Sequence, residues 1–136
     1  MALRTIRQAF IGFILLVTLL PLRPSAAQDK VKALQKERLE TLNALASYVE
    51  ASYKSGAVGF DELISARQKV AKAELVLCET NAERIAVREK IAELSKAYES
   101  FMKRAVESGV LPQDVLLKAR AKRLQAEIAF EQEKSK

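Results

Sequence analysis

Histidine and tryptophan are absent from this 136-residue sequence, and cysteine occurs once. The absence of histidine removes the commonest general base and the commonest metal ligand of proteins. A single cysteine, Cys78, excludes an internal disulfide, and it is not placed for lipid attachment behind a leader segment. Because Cys78 ends an apolar helix face, we expect it to be buried; the alternative in an oxidising compartment is a disulfide between chains.

The sequence also lacks the residue spacings of binding and catalytic sites. Its two methionines cannot form a soft-metal site, and no set of carboxylates has the spacing of a calcium loop. The glycines of residues 56–59 follow a helix rather than a strand, unlike those of a phosphate-binding loop. Glu74 and Glu127 recur at equivalent positions of a repeat. We interpret them as surface ion-pair carboxylates, with Lys72 and Arg123 as partners, and expect no catalytic, cofactor-binding or metal-binding residue and no enzyme activity.

Glycine and proline are scarce, with four and three residues, and no segment alternates apolar and polar residues with a period of two. The sequence therefore predicts helices and no strand. Apolar residues make up 49% of the chain and charged residues 29%, which suits one small domain. The predicted fold class is all-α, with no room for a second domain.

The first residues have the pattern of a secretory signal peptide. Two arginines precede an apolar run at residues 9–20, and prolines and small residues follow it. The run is shorter than the roughly 20 residues that a spanning helix needs, so we predict a signal peptide over residues 1–27 with cleavage after Ala27. An uncleaved anchor is the alternative, because Arg23 is unusual near a cleavage site. A cleaved signal peptide and an uncleaved anchor both place the protein outside the cytoplasm, in the periplasm or cell envelope. We expect membrane attachment only through an uncleaved signal or an outer membrane partner.

Positive charge is in modest excess. The formal charge of the whole chain is +6, and the three arginines of residues 1–27, where no acid occurs, leave +3 for the remainder. Lysine and arginine alternate with glutamate, as at residues 36–38, instead of forming a basic block with aromatic residues between. We therefore expect solvated helix faces and no nucleic-acid partner.

One stretch of the chain occurs twice. The turn around Ser55 is repeated around Ser108, at an offset of 53 residues, and the match continues into the following helix. Repeats of this length indicate units that bury their apolar faces on one another. We predict a helical domain over residues 28–136 made of two helix-turn-helix repeats, at about 31–79 and 80–132, as two tandem hairpins in an antiparallel coiled-coil or four-helix arrangement.

Each repeat has a helix stop followed by a helix start. A glycine just past the last periodic residue can adopt positive φ and close the helix, and a carboxylate in the next first turn meets the positive end of the helix dipole. Proline is also favoured at a helix start. The predicted turn residues are Gly56, Gly59, Asp61, Gly109, Pro112 and Asp114.

The helices carry apolar seams with steps of three and four residues. Alanine at alternate seam positions allows two helices to approach closely, although helix propensity alone would equally favour alanine. The second and fourth helices carry the seam at Leu63, Ala66, Val70, Ala73 and Leu77, and at Leu116, Ala119, Arg123, Ala126 and Phe130. The first and third carry it at Leu34, Leu42, Leu45, Val49 and Tyr53, and at Val87, Ile91, Leu94, Tyr98, Phe101 and Ala105.

The boundary between the second and third helices has its own signal. Thr80 and Glu83 have the spacing of a capping box, in which each side chain accepts from the other's backbone N–H. A helix that continues through Thr80 is the alternative, since no strong breaker occurs there. At the other end of the chain, we expect residues 131–136 to fray.

The repeated turn resembles that of the TolC-like outer membrane efflux family. Residues 53–67 match its pattern Tyr-x-x-Gly-x-x-Ser-x-x-Glu-Leu-Leu-x-Ala, the second copy matches over 108–129, and the likeness extends over residues 38–130. Family members carry two such repeats whose long helices form the periplasmic tunnel of a trimeric channel. Here the barrel strands have no counterpart, the helices are shorter, and Gly59 and Pro112 replace the usual capping serine. The resemblance thus implies a helical hairpin, an envelope location and helix-to-helix association.

These observations favour a non-catalytic exported protein that packs its helices against itself or against another envelope protein. No small-molecule substrate is identified. A small periplasmic stress-type chaperone with a basic, client-binding surface is the alternative, and a purely structural bundle is a third reading. A holdase assay would separate the chaperone from the other two.

Overall fold

The structure is a computed structural model that describes residues 26–136, and it contains four α-helices in that range. They are α1 (Ala26–Lys54), α2 (Phe60–Leu77), α3 (Asn81–Glu107) and α4 (Gln113–Lys134). No strand occurs among the described residues, so the prediction of an all-α fold is confirmed for them. The predicted signal peptide lies outside the described residues, except for Ala26 and Ala27.

Each helix packs on its neighbours in sequence. Within residues 26–136, α1 contacts α2, α2 contacts α3, and α3 contacts α4, whereas no Cα atoms within 8 Å link α1 to α3, α1 to α4 or α2 to α4. The four helices therefore form an open row, with α2 and α3 inside and α1 and α4 at the edges. An open row leaves one side of each edge helix without a neighbour from the same chain.

Polar contacts between the helices show that neighbours run in opposite directions. For each pair of neighbouring helices, a contact that lies later in the first helix lies earlier in the second. The pairs are Lys32–Glu79 (just past the end of α2) and Glu50–Arg67 for α1 and α2, Gln68–Ser95 and Glu74–Lys90 for α2 and α3, and Arg84–Glu133 and Glu99–Arg123 for α3 and α4.

Two small apolar clusters hold the row together. In one, Val49 of α1 packs with Leu63 and Ala66 of α2. In the other, Ala71 of α2, Ile91 and Ala92 of α3 and Ala126 of α4 pack together. Burying a side chain as large as that of Leu63, which is 4% exposed, stabilises the fold by roughly 1.5–3 kcal/mol. Most of the buried residues of the second cluster are alanines, which let the helix backbones lie close together.

The two repeated turns end α1 and α3 in the same way. Gly56 and Gly109 both have a φ of +77°. At the first turn, the N–H of Ala57 donates to Ser52 O and that of Gly56 to Tyr53 O, which is the Schellman arrangement. The N–H groups of Val110 and Gly109 donate to Ala105 O and Val106 O in the same pattern. Both turns thus satisfy the last helical carbonyls with a left-handed glycine.

The helix starts differ from one another. α2 begins after Gly59 and α4 after Pro112, and neither N-cap makes a side-chain hydrogen bond. Asp61 and Asp114 lie in the first turns. At α3 both halves of the capping box are present: the Glu83 N–H donates to Thr80 Oγ1 at 3.2 Å, and the Thr80 N–H donates to Glu83 Oε2 at 3.0 Å. The capping-box prediction is confirmed, and the alternative of one continuous helix is wrong.

The last residues contradict the expectation of fraying. α4 continues to Lys134, and Glu133 is only 3% exposed. Its carboxylate accepts from Arg84 Nε at 3.0 Å and from Lys136 Nζ at 3.2 Å. The ion pair to Arg84 joins the end of α4 to the start of α3, so the end of the chain is fixed by charge rather than by apolar burial.

Candidate interaction surface

The predicted seam of the second and fourth helices lies inside the row. Six of its ten residues are buried and four are half-buried. The buried ones are Leu63, Ala66, Val70, Ala73, Ala119 and Ala126, and the half-buried ones are Leu77, Leu116, Arg123 and Phe130. Ala119 is 1% exposed, so a larger side chain there would displace its neighbours.

A second buried stripe on α2 was missed by the sequence analysis. Ile64 and Ala71, seven residues apart, are 3% and 0% exposed, and Ala71 packs against Ile91 of α3. The inner helix α2 has a neighbour on each side, so it needs two apolar stripes. The signal was present in the sequence as the step of seven from Ile64 to Ala71, which lies beside the seam.

The edge helix α1 exposes much of its apolar face. Leu34 and Leu45 were expected on the buried side, but they are 54% and 45% exposed. Val31 and Tyr48 are also exposed, and Val49 is the buried residue of this helix. A helix that has a neighbour on one side covers only part of a wide apolar face. We define the α1 edge stripe as Leu34, Leu45 and Tyr48, and leave out Val31 because it lines a cavity with Val76 and Leu77 of α2.

The edge helix α4 has an exposed stripe as well. Leu117, Ala121, Leu124 and Ile128 follow steps of four, three and four, the spacing of a coiled-coil seam, and all four are exposed. Leu117 and Ile128 are each 57% exposed. The stripe is half a helix turn from the buried Ala119 and Ala126, so it faces away from α3. We call these four residues the α4 edge stripe.

Arg123 occupies a seam position on α4 and is held by carboxylates from two helices. It pairs with Glu99 of α3 and with Glu127 of its own helix, and these hydrogen bonds raise the pKa of Arg123. The predicted pairing of Glu127 with Arg123 is therefore present. Glu74 differs from expectation, because it binds Lys90 of α3 at 2.8 Å rather than Lys72. The residue spacing within α2 could not predict this partner, because Lys90 belongs to α3.

Several carboxylates are held in their charged form by neighbouring cations or N–H groups. The hydrogen bond from Arg84, followed by that from Lys136, lowers the pKa of Glu133. Backbone N–H groups at the start of α3 lower the pKa of Glu83. These interactions stabilise helix ends and helix pairs.

Cys78 is half-buried, where full burial was expected. Its Sγ donates to Glu74 O at 3.3 Å, and burial is the main cause of a raised thiol pKa. A raised pKa lowers the fraction of thiolate, the reactive form of cysteine. The residue thus has the environment of a structural thiol.

Within residues 26–136, no cluster of three or more Asp, Glu or Cys side chains could hold a metal ion. None of the four helices is long and apolar enough to cross a membrane. Comparisons of the chain with protein-family models, with curated proteins and with solved structures find no match.

Proposed function

We propose that this protein is a non-catalytic, exported protein of two tandem helical hairpins that works by packing its helices against further copies of itself in the cell envelope. The observation that carries the proposal is the pair of edge stripes, one on α1 and one on α4. Each presents large apolar side chains to solvent along an edge helix that lacks a second neighbour from the same chain. Contiguous exposed apolar surface on a soluble domain marks interaction sites.

A second copy of the chain is the partner that fits both stripes. The row is built by antiparallel packing of successive helices, and α1 of a second copy placed on α4 of the first would continue it. The two stripes lie on opposite edges, so the contact joins different surfaces of the two copies. Contacts of this heterologous kind generate closed rings or open filaments.

The envelope context comes from the sequence. The leader pattern of residues 1–27 favours export, and the repeated turn resembles that of TolC-like efflux proteins, whose helices associate in the periplasm. An efflux or envelope-assembly context follows from that resemblance. The exposed stripes could equally bind the unfolded clients of a chaperone. The test must therefore distinguish self-association from holdase activity.

Sedimentation of the purified protein over a range of concentrations tests the proposal. We expect species heavier than one chain, and we expect Leu117→Gln with Leu124→Gln to shift them to the single-chain mass. The control is Val76→Gln with Val110→Gln, which removes exposed apolar side chains outside the stripes and should leave the mass unchanged. A wild-type protein that stays monomeric and suppresses aggregation of a client would instead support the chaperone.

A further inference from the structure

A pocket of about 320 Å³ lies where α2, α3 and α4 meet. Its size is at the lower end for small-molecule sites in proteins. The floor is small and apolar, formed by Ile91 and alanines of α4. Polar side chains from all three helices line the rest. We define the basic pocket by these polar residues, Gln68, Lys72, Arg88, Ser95, Lys122 and Gln125.

The charge of the basic pocket is all of one sign. Each of the three helices contributes one cation, Lys72, Arg88 or Lys122, and no carboxylate lines the pocket. Among residues 26–136, neither Lys72 nor Lys122 has a carboxylate oxygen within 4.0 Å. The Lys122 ammonium lies 5.7 Å from the centroid of the Tyr98 ring, a contact that does not neutralise its charge. Three like charges lining one pocket favour an anionic ligand.

Arg88 forms a long ion pair with Glu133, and one of its guanidinium donors has no hydrogen-bond acceptor within residues 26–136. Its Nε is buried and has no hydrogen-bond partner within the described part of the chain. The nearest carboxylate, Glu133, is 3.9 Å away, too far for a hydrogen bond, and it already accepts from Arg84 and Lys136. Because buried donors are nearly always satisfied, an arginine in this state favours an added acceptor.

The neutral side chains of the pocket are partly fixed. Gln68 Nε2 donates to Ser95 Oγ at 3.2 Å, and the Ser95 hydroxyl donates to Ile91 O at 2.8 Å. Ser95 is 4% exposed, so this chain of bonds holds the Gln68 carboxamide at the pocket wall. A carboxamide N–H there and that of Gln125 add donors to those of the three cations.

We propose that the basic pocket binds a phosphate-type oxyanion carried by a small molecule or a headgroup. Lys72, Arg88 and Lys122 neutralise its charge, the carboxamides donate to its oxygens, and the apolar floor accommodates a small carbon group next to the phosphate. The pocket uses residues outside both edge stripes. The binding is therefore independent of the self-association proposed above.

Calorimetric titration at low ionic strength tests this, with protein purified after expression of the full-length chain and with inorganic pyrophosphate as the free ligand. A parallel cosedimentation uses vesicles of phosphatidylglycerol and of phosphatidylcholine. The pocket variant is Lys72→Gln with Lys122→Gln, at two exposed positions where the fold should tolerate change. The control is Lys30→Gln with Lys36→Gln, two exposed lysines of α1 that remove the same charge. Thermal melts check that all variants are folded.

We expect wild type and control to bind and the pocket variant to lose at least about tenfold in affinity, since each charge-assisted hydrogen bond contributes that much. Binding of pyrophosphate identifies a soluble ligand, and pocket-dependent binding to phosphatidylglycerol vesicles alone identifies a headgroup. The proposal is overturned if wild type binds neither probe. It is equally overturned if the control variant weakens as much as the pocket variant, because the attraction would then be a property of net charge.

Discussion

Gly56 and Gly109 are single residues on which the ends of two helices depend. Both have positive φ, and a Cβ added at either would meet no atom within 4 Å. An added Cβ therefore has room at both positions, and the expected damage comes from backbone strain at positive φ. We expect Gly56→Val and Gly109→Val each to lower the free energy of unfolding by about 1–2 kcal/mol in denaturant melts.

The matched control is Gly56→Asn. Asparagine adopts the left-handed region more easily than valine, so Gly56→Asn should lower the free energy of unfolding by less than Gly56→Val does. Equal stability of the valine and asparagine variants would contradict the argument from backbone strain.

Glu133 links stability to pH. Its folded-state pKa is lowered, so its contribution is fully present above the ordinary glutamate pKa of about 4.3 and is lost as the pH falls through the lower folded value. We expect Glu133→Gln to lower Tm at pH 7 and to narrow the difference between Tm at pH 7 and pH 3. Thermal melts at both pH values measure this.

Glu131→Gln is the control for that experiment. Glu131 lies two residues away on α4 but is exposed, and its pairing with Lys134 is a surface contact of small energy. Its difference in Tm between the two pH values should equal that of wild type. A Glu133→Gln protein that also keeps the full difference would show that the Arg84 contact is not linked to acid stability.

At the scale of the helices, the alanines of the seam determine how closely neighbours pack. Ala73 is 3% exposed and Ala126 is 9% exposed. Leucine at either position would overpack a close contact and should lower the free energy of unfolding by roughly 1–3 kcal/mol. Ala33→Leu, at an exposed position of α1, is the control and should be nearly neutral in the same denaturant melts. If all three variants melt alike, the alanines are present only for helix propensity.

The helices also show what the sequence could and could not predict. Gly56, Thr80 and Gly109 mark helix boundaries through local backbone chemistry, so the ends of α1 and α3 and the start of α3 could be predicted from the sequence. The end of α4 could not, because α4 continues to Lys134, where fraying was expected from residue 131. Whether an apolar face is covered depends on distant parts of the chain. Leu34 and Leu45 repeat with helical spacing whether or not a neighbour lies against them, so their exposure could not be predicted from periodicity.

Ion pairs between residues far apart in the sequence could not be predicted either, because they also depend on how the helices pack. Glu133 is 49 residues from Arg84 in sequence, and a polar residue near a chain end gives no local sign of burial. The basic pocket likewise joins cations from three helices, none of which is unusual within its own helix.

At the scale of the whole molecule, the open row predicts which surfaces of two copies meet. If the α4 edge stripe of one copy packs on the α1 edge stripe of the next, every contact requires one intact stripe of each kind. We expect a variant with Leu34→Glu and Leu45→Glu to be monomeric, and likewise a variant with Leu117→Glu and Leu124→Glu, because charge on an apolar contact opposes its burial.

Mixing the two variants distinguishes this contact from its alternatives. The first keeps an intact α4 edge stripe and the second an intact α1 edge stripe, so an equimolar mixture should form dimers and stop there, since the remaining edges both carry glutamates. Analytical ultracentrifugation of each variant and of the mixture measures the masses. If α1 instead packs on α1, or α4 on α4, one variant alone would dimerise and mixing would add no new species. A dimer that forms only on mixing therefore requires the heterologous contact, and monomers in all three samples, beside an oligomeric wild type, would contradict it.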